Sequence, residues 1–212
     1  MSIVVSILNQ KGGCGKTTLS QNLAHAFSLE STVLLVDSDP QGSTRDWNNC
    51  SDVEHDFAVI GLDRPSLYQD LKQLNTSHEY TIIDGCPSIQ EMSIAAIKSS
   101  DVILIPVTPS PYDVWAVDDL IQIIKARQSV LPTLKAAFII SRTIKNTKLS
   151  SEIVTALESY ELPILQSSTT QRVIYPQSAS EGKTVLDLSK SSPSTREILA
   201  IRDEIKQLLH TV

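Results

Sequence analysis

The chain has 212 residues, 41% of them hydrophobic, and a formal net charge of -6. That length suits one α/β domain with a full core and is short for two; no apolar run reaches the roughly 18 residues that span a bilayer, and no basic, cleavable leader opens the sequence, so a cytoplasmic protein is expected. Cys14, Cys50 and Cys86 are odd in number and scattered, without zinc or disulfide spacing, which predicts three reduced thiols.

In chain order, the apolar run Ile3 to Leu8 reads as a strand, and Leu19, Leu23, Ala24 and Phe27 recur on one helical face. Between them lies N-Q-K-G-G-C-G-K-T-T, Asn9 to Thr18. Strand, glycine loop and helix in that order form a phosphate cradle: Gly12, Gly13 and Gly15 let the backbone turn its N–H groups inward, and the helix dipole adds positive potential. In such a loop Lys16 reaches the β and γ phosphates and Thr17 ligands Mg²⁺. Cys14 fills a small slot. The general pattern has glycine where Gln10 stands here, and a second lysine, Lys11, follows it.

Thr32 to Val36 is a β-branched strand that runs into D-S-D-P-Q-G. Carboxylates at a strand's C-terminal end sit where open α/β sheets bind ligands, so Asp37 and Asp39 are candidates to face the metal and an attacking water. A plainer alternative is a solvated turn that caps the next helix through Ser43. Trp47 is assigned to the core, and the acidic run around His55 to a surface loop. Ala58 to Ile60 reads as a strand and Pro65 to Leu74 as a helix burying Leu67, Leu71 and Leu74. Tyr80 to Asp84 again ends an apolar strand in an acid, and Asp84 is expected to hold Mg²⁺ through water. Gly85, Cys86, Pro87 and Ser88 then stand where a switch loop would.

Val102 to Pro106 predicts a buried strand, continued by V-T-P-S-P-Y-D, in which Pro106, Pro109 and Pro111 give a stiff, extended stretch. A helix is expected over Val114 to Leu131, a strand over Lys135 to Ser141, a helix over Leu149 to Tyr160 and a last strand over Leu162 to Leu165. Ser194 to His210 is a helix whose polar face mixes both signs, so it is expected to dock on the core rather than lie on a membrane. The alternation predicts a three-layer α/β fold with a mainly parallel twisted sheet, one domain over residues 1–212. Charge is uneven: residues 1–119 carry 6 basic and 16 acidic side chains, residues 120–212 carry 12 and 8, leaving -10 and +4. Such a positive half can mark a nucleic-acid face.

The loop K-G-G-C-G-K-T-T with its extra Lys11 resembles the deviant Walker A loops of the ParA/MinD family of ATPases, and D-S-D-P-Q-G resembles that family's second signature. The resemblance implies a P-loop NTPase domain using ATP and Mg²⁺. Within it Gly12 to Thr18 bind the nucleotide, and Lys11 crosses a dimer interface to the partner's nucleotide. Asp39 positions water, and Asp37 joins Thr17 and Asp84 around the metal. The run Pro106 to Asp113 resembles the proline-rich box of ParF-type partition ATPases, which implies that Pro106, Thr108, Pro109 and Asp113 lie near nucleotide and interface. Arg142 falls on the adenine side by the same analogy. T-Q-R-V-I-Y, Thr170 to Tyr175, resembles those proteins as well. Gly85 and Cys86 depart from the family's proline-rich turn.

The function so implied is DNA segregation: an ATP-dependent homodimer binds non-specific DNA, becomes nucleoid-associated and is switched off when a separate centromere- or cargo-binding adaptor stimulates a slow ATPase. Candidate DNA contacts are Lys145, Lys148, Arg172, Lys183, Lys190, Arg196, Arg202 and Lys206. No helix-turn-helix pattern precedes the first strand, as in the small partition ATPases. A ParA-like positioning ATPase for another intracellular cargo shares nearly every residue named. A MinD-like division-site regulator is disfavoured because no stable membrane anchor is expected, and an iron–sulfur reductase of related fold because only Cys86 lies near the switch region.

Overall fold

A computed structural model describes residues 2–74, 77–87, 91–144, 149–188 and 191–210. The elements run β1 (Ile3–Ile7), α1 (Lys16–Ser28), β2 (Val33–Asp37), α2 (Ser43–Asn49), β3 (Ala58–Gly61), α3 (Leu67–Leu74), β4 (Tyr80–Asp84) and α4 (Glu91–Ser99). They continue with β5 (Val102–Val107), α5 (Pro111–Trp115), α6 (Asp118–Val130), β6 (Lys135–Ile140), α7 (Leu149–Glu158), α8 (Ile174–Ser180), α9 (Val185–Leu188) and α10 (Pro193–His210). Six strands form one sheet in the order β3-β2-β4-β1-β5-β6, each pair parallel.

A parallel sheet covered on both faces needs apolar side chains at every strand position, and the side-chain period of two then divides them between two cores. Leu34 and Val36 of β2, with Ile103 and Ile105 of β5, join α3, α4, α6 and α7 on one face. Val33 and Leu35, with Val102 and Leu104, face the opposite way onto α1, α2 and α8 to α10. Each fully buried Leu, Ile or Val stabilises the fold by roughly 1.5–3 kcal/mol.

The strand order reverses beside β1, the switch point where doubly wound sheets bind ligands. Register sets Asp84 level with both Ile7 and Asp37, so the loop after β1 and the acids ending β2 and β4 share one edge of the sheet. The backbones also approach closely there. A Cβ on Gly85 would lie 2.6 Å from the Ile7 carbonyl oxygen and 2.4 Å from Leu8, so only glycine fits that step.

Several expectations change. The helix expected over Val114 to Leu131 is two, because Pro111 opens α5 at its first position and the chain re-aims at Ala116–Val117 before α6. The proline-rich stretch is therefore not extended throughout. Leu162 to Leu165 makes no seventh strand: Pro163 lacks an N–H, only an isolated bridge joins Phe138 to Ile164, and the next backbone donors, Gln166 and Ser167, turn to Glu204. Leu74 is 45% exposed rather than part of a buried stripe. Helices α4, α8 and α9 are additional. Trp47 is buried as expected, and His55, in the loop assigned to the surface, stacks on it with 4.6 Å between ring centroids. In α10, Ile198, Ile201 and Ile205 are buried in the same core as α1.

Candidate functional site

The loop between β1 and α1 turns through Gly13 and Gly15, whose φ values of 76° and 96° lie in the left-handed region that disfavours other residues. Gly15 stands as the N-cap of α1, so the first turn of that helix opens onto the loop. The Lys16 ammonium is buried, donating to the Lys11 carbonyl at 2.9 Å beside the Cys14 sulfur. Cys14 donates its S–H to the same carbonyl, and burial raises its pKa, so the thiol is a packing group rather than a nucleophile. Ser141, at the end of β6, donates to the Cys14 carbonyl at 2.6 Å, and Arg142 to the Gly13 carbonyl at 2.9 Å. The loop is thus braced from the far side of the sheet.

The three aspartates occupy different environments. Asp84 is fully buried, which pushes its pKa up to about 6 against hydrogen bonds from Thr44 and Thr17. A carboxylate so desolvated beside the Thr17 hydroxyl fits a divalent cation, which stabilises the charged form. A cation there would draw on Asp84, Thr17, water and phosphate oxygens. Asp37 is also buried, but its carboxylate is spent on protein: it accepts from the backbone N–H groups of Asp39, Thr44 and Arg45 and from the Arg45 guanidinium. It caps α2 from a distance, the role that the plainer reading gave to Ser43; the N-cap position itself is Gly42, which has no side chain to offer. Asp39 lies on the wall of the cleft, holding the Gln41 N–H at 3.0 Å.

Lys11 and the proline-rich box form one unit. The Lys11 ammonium pairs with Asp113, whose side chain is only 2% exposed, and Thr108 donates to the second carboxylate oxygen. Asn9, a residue whose role sequence reading did not assign, bridges the same two segments: its amide donates to the Pro106 carbonyl at 2.7 Å and its oxygen accepts the Lys11 N–H at 2.9 Å. Pro106, Thr108, Pro109 and Asp113 do not line the cleft; they stand behind the loop and reach it through Asn9 and Lys11.

The cleft has a volume of about 1040 Å³, at the upper end of the ~300–1,000 Å³ usual for small-molecule sites. It is lined by Gly12, Gly13 and Gly15 to Leu19 of the loop and α1, by Asp39, Ser43 and Pro87, and by Arg142, Ile144 and the stretch from Thr169 to Val173 with Tyr175 and Pro176. The segment resembling partition ATPases is therefore part of the cleft's lining. Of the candidate DNA contacts, Arg172 is ion-paired with Glu197, Lys183 with Asp52 and Glu181, Arg202 with Glu30 and Asp203, and Lys206 with Glu30. Arg196 is exposed and without an ion-pair partner among the described residues. Lys145, Lys148 and Lys190, and Ser88 of the expected switch loop, lie outside them. Among the described residues no helix is long and apolar enough to cross a membrane.

A model of the CobQ/CobB/MinD/ParA nucleotide binding domain matches residues 5–185. The "Maintenance of carboxysome distribution protein A" of Halothiobacillus neapolitanus is 34% identical over 215 residues, covering 100% of this chain and 96% of that protein. Among solved structures, the McdA–ATP complex of Cyanothece superposes with a TM-score of 0.76 at 20% identity, over 100% of this chain and 97% of that one. The septum site-determining protein MinD of Pyrococcus horikoshii, complexed with Mg-ADP, gives a TM-score of 0.79 at 18% identity, covering 98% and 97%. Likeness at these identities speaks for the fold.

Proposed function

The chain belongs to the CobQ/CobB/MinD/ParA nucleotide-binding family, and from that premise we propose that it is an ATP-dependent positioning ATPase that distributes a large intracellular assembly. The observation that carries the choice of cargo is the full-length relative named for carboxysome distribution. It favours the positioning reading over the DNA-segregation reading that the proline-rich box suggested. The geometry supports the chemistry. Lys16 sits at the phosphate end of the cleft, Thr17 and the buried Asp84 stand together for Mg²⁺, and Asp39 faces the cleft as the residue that orients water. Catalysis of this kind is positioning plus charge compensation, which a rigid loop braced by Ser141, Arg142 and Asn9 supplies.

In this reading ATP drives formation of a homodimer in which Lys11 leaves Asp113 for the partner's nucleotide. The dimer binds DNA without sequence preference, and a separate adaptor on the cargo stimulates hydrolysis. The test is deletion of the gene in its own host. Clustering of a protein compartment with normal plasmid inheritance supports the positioning role, whereas plasmid loss with evenly spaced compartments supports partition instead.

A further inference from the structure

The stretch T-Q-R-V-I-Y acquires a role from α10. Three of its side chains converge on one carboxylate, Glu197. One Glu197 oxygen accepts from the Thr170 hydroxyl at 2.7 Å and from the Arg172 guanidinium at 3.0 and 3.2 Å. The other accepts from the Thr170 backbone N–H at 3.1 Å and the Tyr175 hydroxyl at 2.9 Å. Glu197 is only 16% exposed, so these bonds form in a partly desolvated setting where charge-assisted pairs are strong. Two helical turns on, Glu204 accepts the backbone N–H groups of Gln166 and Ser167 at 2.7 and 2.6 Å. The backbone here is only partly paired with the β6 side, through Thr169 N–H to the Ile140 carbonyl and a bridge between Thr143 and Thr170, and α10 takes the donors of Gln166, Ser167 and Thr170 with two carboxylates on one face.

The segment held in this way lines the same cleft as the glycine loop, from Thr169 to Val173 with Tyr175. Thr170, Arg172 and Tyr175, tied to Glu197, line the cleft together with the exposed Gln171 and Val173. A nucleotide whose phosphates occupy the loop reaches this wall with its base and ribose. The same helix grips α1, since Arg202 donates to the Ala26 carbonyl at 3.1 Å.

We propose that Glu197 is a positioning residue for nucleotide binding: from α10 it fixes the shape of the base-side wall, so that affinity for ATP depends on a helix that does not itself line the cleft. This rests on the nucleotide reading of the cleft given above. The role predicts an effect on binding and not on the chemistry at the phosphate end, where Lys16 and Asp39 are untouched.

The test compares the full-length wild type with Glu197→Ala and Glu197→Gln. ATP affinity is measured by calorimetry about 20 °C below each protein's melting midpoint, so that loss of folded protein does not enter. Steady-state hydrolysis is followed alongside. Glu197→Ala is expected to raise Kd and KM for ATP roughly tenfold or more while kcat at saturation stays within about twofold. Glu197→Gln, which keeps the shape and one acceptor oxygen, is expected to fall between. Unchanged affinity in both variants overturns the inference, as does an equal loss of kcat with KM unmoved. A wild-type chain that binds no ATP overturns the nucleotide reading and the inference with it, an outcome distinct from the other two.

Discussion

Lys11 and Lys16 share a short loop but face different tasks. Lys16 is buried against the loop's own carbonyl and lines the cleft, where the proposed reading has its charge meet the phosphates. Lys16→Ala is expected to weaken ATP binding about a hundredfold, because it removes a charge-assisted contact that nothing nearby replaces; calorimetry reads this directly. Lys11 instead rests on the buried Asp113 of its own chain. To serve a partner it must leave that carboxylate, whose desolvated charge then lacks compensation. Asp113→Asn keeps the shape and removes the charge, so Lys11 is freed at no such cost. The expected outcome is ATP-induced dimerisation at several-fold lower protein concentration, measured by light scattering. Unchanged dimerisation would show that the Lys11–Asp113 pair does not oppose association.

Helix ends decide much of the local order. T-V-L-D, Thr184 to Asp187, is a capping box in which Asp187 accepts the Thr184 N–H at 2.7 Å and holds its hydroxyl at 2.9 Å, starting α9. Burial pushes the Asp187 carboxyl upward, but the hydrogen bonds from His25 and Thr184 outweigh it and hold the pKa at about 2. A carboxylate with a depressed folded pKa contributes stability that is present above its unfolded value, near 4, and lost as pH falls through about 2. Asp187→Asn is therefore expected to cost about 1 kcal/mol at neutral pH and to flatten the stability profile between about pH 4 and pH 2. Denaturant titrations across that range check both. The box is open to sequence reading, as is the Met92, Ala95, Ala96 spacing of α4. The strands were legible since parallel, doubly covered strands read as unbroken apolar runs. Leu162 to Leu165 reads the same way, and only the tertiary placement of Glu204 explains why its continuation leaves the sheet. In the site, the glycine loop and the acids after β2 and β4 announce themselves by sequence. Asn9 and Glu197 do not, because a single polar residue carries no periodic or spacing signal.

At the scale of the molecule, charge and topology set how the chain meets its surroundings. Four of the candidate cations for DNA are neutralised by neighbouring acids, so among the described residues few of those candidates are free to meet phosphates. Non-specific DNA binding by so few contacts is weak and falls steeply with salt, while pairing two subunits doubles the contacts and multiplies their effect. Retention on unrelated duplex DNA is expected with ATP and to be lost with ADP or no nucleotide. It should drop at least tenfold between 50 and 200 mM salt. Equal retention in every nucleotide state, or none in any, would remove DNA from the proposal. The missing seventh strand bears on a different hazard. A protein gathered densely along one matrix risks templating its own fibrils through an open sheet edge. Beside β6 the chain presents Pro163, which has no N–H to offer, and then diverts the donors of Gln166 and Ser167 into Glu204. The edge is blunted by the segment that walls the cleft, so the crowding that the proposed DNA-bound state would bring need not become aggregation.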